Sequence, residues 1–232
     1  MRLMRSERGD LGIVVMVLFL AAMQILIHTQ RHKIPPERTF GVPGESENVR
    51  VYTTSSVIDF VEHIRFEKFI SGSTGELLYI RINSFGGDAF AGFLMIESMK
   101  DYLEKYGKDK IECYVPLEAY SMAAIMALNC PKLGMGIEAR LMFHSGRVFY
   151  RNHFIRAKDI DETDPKWRGW LKVKKYLLAL DKIQEDVLQE RTGLDRHTIV
   201  ESLTVGDRPE SGWYMNRYTA CQYKIVTECG DL

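Results

Sequence analysis

The sequence has no surplus of either charge: 31 basic residues stand against 31 acidic ones, so nothing in the balance draws the chain to a polyanion, and nucleic acid is not an expected partner. Cysteine is scarce. The four present, Cys113, Cys130, Cys221 and Cys229, are not spaced as metal ligands, and no metal site is expected. Cys113 and Cys130 lie in apolar segments and read as core thiols, whereas Cys221 and Cys229 would pair only in an oxidising compartment. With 232 residues the chain can bury one good core and hardly needs a second domain.

A polar face is missing from residues 11–28. Apart from Gln24 the run from Leu11 to Ile27 is apolar, where a buried helix of the soluble domain would show a polar side. About 18 such residues just reach across a bilayer as a helix. Arg2, Arg5 and Arg8 precede the run, and Arg31, His32 and Lys33 follow it. A cleaved signal segment competes, but the run is long for one and no small-x-small site follows it. Residues 1–30 are therefore expected to be an N-terminal transmembrane helix, or a signal segment, of a single-pass membrane protein. Basic residues at both ends leave the positive-inside rule without a strong preference. A short basic head usually stays in the cytoplasm, which places the rest of the chain in a periplasmic or other extracytoplasmic space. Residues 31–48, with Pro35, Pro36, Gly41, Pro43 and Gly44 among charges, read as an extended linker.

From residue 49 the pattern alternates strand and helix. Val49 to Thr53 reads as a strand. Ser56 and Asp59 have capping-box spacing ahead of a helix that runs towards Ile70. The β-branched and leucine-rich run Leu77 to Ile82 ends in Asn83-Ser84-Phe85-Gly86-Gly87-Asp88 and opens into a helix from Ala89 to Tyr106. Ile111 to Val115 is a further strand, from which Ala119-Tyr120-Ser121-Met122-Ala123-Ala124 turns into an apolar helix ending near Asn129. Arg140-Leu141-Met142-Phe143 delivers His144 at a strand end. Arg147 to Pro165 is polar and irregular, a projecting loop or handle, and Trp167 to Arg191 is a long amphipathic helix. Such alternation implies an α/β fold with right-handed crossovers, whose site lies at strand ends.

The chemistry of these residue types converges on acyl transfer. A serine hydroxyl is a poor nucleophile at neutral pH and needs a base such as histidine; Ser121 and His144 are the pair. The oxyanion formed on attack needs backbone N–H donors already aimed at it. Gly86 or Gly87, with no Cβ in the way, is placed to supply one, and Met122, at the head of a helix, the other. Each residue also has an ordinary role open to it: Ser121 as a helix cap, His144 as a hydrogen-bonded strand-end residue, and the glycine pair as a turn.

Three of these motifs, in this order, resemble the Clp protease proteolytic subunit and its relatives in the ClpP/crotonase superfamily. Asn83-Ser84-Phe85-Gly86-Gly87 is similar to the family's Asn-Ser-Pro-Gly-Gly. Tyr120-Ser121-Met122-Ala123-Ala124 is similar to its Ala-Ser-Met-Gly-Ala nucleophile turn, and Arg140-Leu141-Met142-Phe143-His144 to its Arg-x-Met-x-His strand. The likeness runs over roughly residues 49–230, since Tyr214 to Val226 also resembles the family's closing helix and strand. It implies a ClpP/crotonase-like α/β fold of repeated strand-strand-helix units over residues 49–232. The implied activity is a serine endopeptidase that hydrolyses a polypeptide substrate without a cofactor, and the long helix implies self-association into a homo-oligomer.

Phe85 stands where the family has proline, and Ala123 where it has glycine. The resemblance also implies an acid that orients the histidine, after the long helix. The stretch from Gly193 to Tyr214 is longer than the family's. Counting forward from Thr192-Gly193 lands near Glu201 and Ser202, and counting back from Tyr214 lands beside Asp207. Asp207, the only aspartate near either count, is the expected third member, with Glu201 and Glu210 open. Two alternatives remain: a Ser-Lys dyad of the signal-peptide-peptidase kind, with Lys132 the nearest lysine after the serine, and a non-catalytic scaffold or binding protein that keeps the fold.

Overall fold

The structure, a computed structural model, describes residues 48–151, 153–204 and 211–227. The expected anchor, and all of the expected linker but Asn48, lie outside them. Among the described residues no helix is long and apolar enough to cross a membrane.

The first half of the fold is laid down by β1 (Val49–Thr53), α1 (Phe60–Ser71), β2 (Leu77–Arg81), α2 (Ala89–Tyr106) and β3 (Ile111–Val115). Then come β4 (Glu118–Tyr120), α3 (Met122–Leu128), β5 (Lys132–Met135) and β6 (Arg140–Phe143). A hairpin of β7 (Arg147–Tyr150) and β8 (His153–Arg156) leads through two short 3-10 turns to α4 (Leu171–Thr192). The chain continues as α5 (Arg196–Leu203), β9 (Trp213–Asn216) and α6 (Arg217–Gln222). It is a mixed α/β fold. A four-stranded parallel sheet has the order β1-β2-β3-β5, and a three-stranded sheet the order β4-β6-β9, with β4 and β6 parallel and β9 antiparallel to β6.

Alternation along the strands fixes which face is buried. Register sets Leu78 beside Ile111 and Ile80 beside Cys113, which in turn lies beside Leu133. These residues form one inner face with almost no exposure, each large aliphatic side chain contributing about 1.5–3 kcal/mol. Helix α2 starts where Asp88 accepts the Ala91 N–H at 2.8 Å and stops at Gly107, whose φ is +118°, so both ends are set by local chemistry.

Beyond β2 the chain does not turn away at once. Ser84 bridges Ala119 on one flank and Gly87 bridges Ile58 on the other, so the glycine loop lies between the approach to α1 and strand β4. This revises the start of α1. Ser56 is not its cap: its carbonyl accepts the Phe85 N–H at 2.9 Å, and Ile58 is extended to pair with the loop. Asp59 caps the helix instead, accepting the Glu62 N–H at 2.8 Å.

Two further expectations are corrected. Cys113 and Cys130 are not thiols. Helix α3 brings the chain back along β3, their Cα atoms are 6.0 Å apart, and the two form a disulfide. Cys221 is disulfide-bonded as well; Cys229 lies outside the described residues. The segment after His144 is more than a polar loop, since Ile155, Ala157 and Ile160 bury themselves against Leu177 of α4 in a small second core, with Trp167 and Trp170 packed around it.

Candidate functional site

Ser121 occupies the turn between β4 and α3. Its φ is +55° and ψ is −124°, the backbone of the first central residue of a type II′ turn, which glycine normally holds. Holding a residue with a Cβ there costs on the order of 1–3 kcal/mol. The strand pairing imposes it: the Ser121 N–H donates to the Met142 carbonyl at 2.7 Å as the last rung of the β4–β6 ladder, while the Ser121 carbonyl accepts the Ala124 N–H at 3.0 Å as the first rung of α3. The side chain caps nothing. The hydroxyl is half-buried and has no hydrogen-bond partner among the described residues.

The glycine loop lies against this turn. A Cβ built on Gly86 would stand 2.8 Å from Ser121 Cβ and 3.0 Å from the Met122 nitrogen, so only glycine allows the approach. The Gly86 N–H is already committed, donating to Ser84 Oγ at 3.2 Å, and its carbonyl accepts from Ile58 at 2.8 Å. Gly87 differs. Ile58 bonds to residues 86 and 88 on either side of it, which in a parallel bridge turns the Gly87 N–H to the opposite flank, the one that carries β4. Gly87 is exposed, and neither its N–H nor that of Met122 has a partner among the described residues. Of the two glycines, Gly87 is therefore the one with an amide to offer.

His144 follows β6, and Tyr120 pairs with Met142. Serine and histidine thus leave the same ends of two neighbouring parallel strands, which lie about 4.8 Å apart. No hydrogen bond joins the hydroxyl to the ring in this resting arrangement, and such bonds commonly tighten only around substrate. The ring is held from behind: Nδ1 meets the Ser145 carbonyl at 2.8 Å. That contact makes Nδ1 the protonated nitrogen and leaves Nε2 with its lone pair. Burial, with the Arg147 guanidinium nearby, pushes the imidazole down to about 4 against the opposing pull of the Ser145 carbonyl, so it is neutral and able to accept a proton at pH 7.

The main chain around His144 is tied to α4 and α5. Gln184, buried on α4, donates from Nε2 to the His144 carbonyl at 3.0 Å. The Ser145 N–H donates to the Leu203 carbonyl at 3.3 Å, and the Gly146 N–H to Asp181 Oδ1 at 2.5 Å. Burial lifts the Asp181 carboxyl to about 6, opposed by that N–H and assisted by Glu185. Tyr176, also on α4, is raised by its own burial and then by Asp88, the residue after the glycine pair. The long helix therefore passes His144 and brings Tyr176 within reach of the Asp88 charge.

The departures from the family pattern have places too. Phe85 packs at a tilt on Tyr120 with centroids 6.0 Å apart, and Tyr120 meets Tyr214 edge-on at 5.9 Å, an aromatic rim beside the Ser121 turn. Among the open acids, Glu201 is exposed and lies 3.6 Å from His197, and Ser202 donates to the Thr198 carbonyl. Asp207 and Glu210 lie outside the described residues. Lys132 Nζ is 2.7 Å from Glu112 at the start of β3 and β5. Asp181 and Gln184 are the residues that sequence reasoning missed. The available signal was a glutamine in register with Leu177 and Leu188 on the buried stripe of α4.

No family model matches the chain, and a search of curated proteins returns no significant match.

Proposed function

We propose that this chain is a membrane-anchored serine peptidase of the ClpP/crotonase type. Ser121 attacks the carbonyl carbon of a peptide bond while His144 Nε2 takes the hydroxyl proton. The oxygen that gains the charge is received by the Gly87 and Met122 amides, and His144 then returns the proton to the departing amine. Water, deprotonated by the same imidazole, then attacks the acyl carbon, and His144 gives that proton to Ser121 Oγ as the ester bond breaks and the acid leaves. The observation that carries this reading is the strained serine with Gly86 packed on its Cβ and, beside it, two amides that have no partner among the described residues. A plain helix cap requires neither the strain nor the free donors.

The order of units, β2-α2 followed by β3-β4-α3, supports the repeated strand-strand-helix architecture that the motifs resemble. The extended substrate lies beside the glycine loop, where main-chain pairing gives affinity without sequence demand. A disulfide between Cys113 and Cys130 supports an oxidising, extracytoplasmic setting for the domain, with residues 11–28 as the anchor. Exposed Phe60, Val61, Ile64 and Phe90 near the glycine loop support a homo-oligomer. Asp207 is the acid that the resemblance assigns, although the Nδ1 proton it would hold is given to the Ser145 carbonyl in this arrangement.

A fluorophosphonate probe tests the reading. Labelling at Ser121, abolished in Ser121→Ala, slowed at least 100-fold in His144→Ala and unchanged in Lys132→Ala, is the expected result. Absence of labelling on folded protein points to the scaffold alternative, and dependence on Lys132 to the dyad.

A further inference from the structure

The peptide unit that joins Ser145 to Gly146 is bonded on both sides by groups that matter to the site. Its carbonyl accepts the His144 Nδ1 proton at 2.8 Å, and its N–H donates to Asp181 Oδ1 at 2.5 Å. Hydrogen bonds in series polarise one another. A carboxylate accepting the N–H draws that bond out, piles electron density onto the carbonyl oxygen at the other end of the same amide, and strengthens its hold on Nδ1–H.

We infer that Asp181 is a positioning residue for His144, doing through the Ser145–Gly146 peptide what an orienting carboxylate otherwise does by direct contact. The inference rests on the serine-histidine reading above. Asp181 does not touch the ring or the substrate. It fixes the tautomer and favours the imidazolium that forms when Ser121 attacks. Gln184, one turn further along α4, holds the His144 carbonyl at 3.0 Å, so both ends of the segment are pinned to one rigid helix.

The arrangement responds to pH. Asp181 opens on a cavity of about 430 Å³ that is also lined by Lys174, Lys182 and Glu185 of α4, Arg156 at the end of β8 with Lys158 just after it, and Arg196 of α5. Glu185 is paired with Arg196, Lys174 with Glu162 and Lys182 with Asp186; among the described residues Asp181 itself has no ion pair, and burial lifts its carboxyl to about 6. As the pH falls through that value the carboxylate is lost and the relay weakens. His144, which titrates near 4, is still neutral there.

The test uses full-length protein labelled with ¹⁵N at glycine and histidine, followed by NMR from pH 4 to 8, in parallel with the rate of fluorophosphonate labelling. The Gly146 amide and His144 Nδ1 are expected to shift together with a midpoint near 6, and labelling to slow about tenfold below it. In Asp181→Asn, whose side-chain oxygen still accepts the N–H, the labelling rate at pH 8 falls about tenfold and the step near 6 disappears from both signals. If wild type never labels but the two signals still move together, the relay stands and the hydrolase reading fails. If wild type labels and neither signal titrates near 6, or the variant keeps the wild-type rate and profile, the inference is overturned.

Discussion

Replacing Ser121 with glycine should make the protein more stable than replacing it with alanine, although either change removes the proposed nucleophile. The hydroxyl has no hydrogen-bond partner among the described residues, so its loss in Ser121→Ala should cost no more than about 0.5 kcal/mol. Alanine keeps a Cβ and hence the penalty of φ +55°, ψ −124°. Glycine removes that penalty, about 1–3 kcal/mol, and gives back about 0.4–1 kcal/mol in unfolded-chain entropy. The net gain is about 0.5–2 kcal/mol, and at roughly 2–4 °C per kcal/mol for a domain of this size the Tm rises by several degrees. Circular dichroism melts of the three proteins, repeated at two urea concentrations to check that the order holds, measure it. A glycine variant no more stable than the alanine one would mean that Ser121 carries no strain, and the argument for a specially held nucleophile would lose its footing.

Gly86→Ala drives a Cβ into the Tyr120 carbonyl and against Ser121; it should lower stability by about 2 kcal/mol or more and reduce probe labelling at Ser121 at least 100-fold. Gln184→Leu leaves the His144 carbonyl without its donor, a loss of about 1–3 kcal/mol measurable by urea unfolding. Two titrations oppose each other in acid. His144, lowered to about 4 from 6.5, contributes stability that is present above about pH 6.5 and is lost as the pH falls towards 4. Asp181, raised to about 6 from 3.8, contributes stability that is present below about pH 3.8 and is lost as the pH rises through 6. Asp181→Asn should therefore be more stable than wild type at pH 8, by about 1–2 kcal/mol after discounting the partly open carboxyl. Between pH 7 and 4 it should lose stability faster, which unfolding curves at fixed pH would detect.

How much could be read beforehand varied with how local the cause was. Helix α2 was legible to the residue because Asp88 and Gly107 set its ends by contacts within the same stretch. The start of α1 was misread for the opposite reason. Ser56 looks like a cap, but its carbonyl is used by Phe85, and Ile58 is held extended by Gly87, both remote in sequence. The Cys113–Cys130 disulfide was hidden likewise, since apolar surroundings describe a buried thiol and a buried disulfide equally well. Ser121, His144 and the glycine pair stood out because each sits at a strand end or helix start. Which glycine offers its amide depends on pairing with Ile58, and the grip of Asp181 and Gln184 on residues 144–146 spans up to 40 residues of chain, so no spacing announced either. The acid stayed open because the stretch from Gly193 to Tyr214 is longer than the pattern it resembles.

The central claim is that Ser121, His144 and the Gly87 and Met122 amides surround one reacting carbon. A crystal structure of the protein after reaction with a phosphonate probe tests it most directly. The account predicts phosphorus bonded to Ser121 Oγ, its charged oxygen about 2.7–3.1 Å from both amide nitrogens, and His144 Nε2 facing Oγ. Phosphorus on another residue, or an oxygen turned to solvent with both amides unengaged, would contradict it.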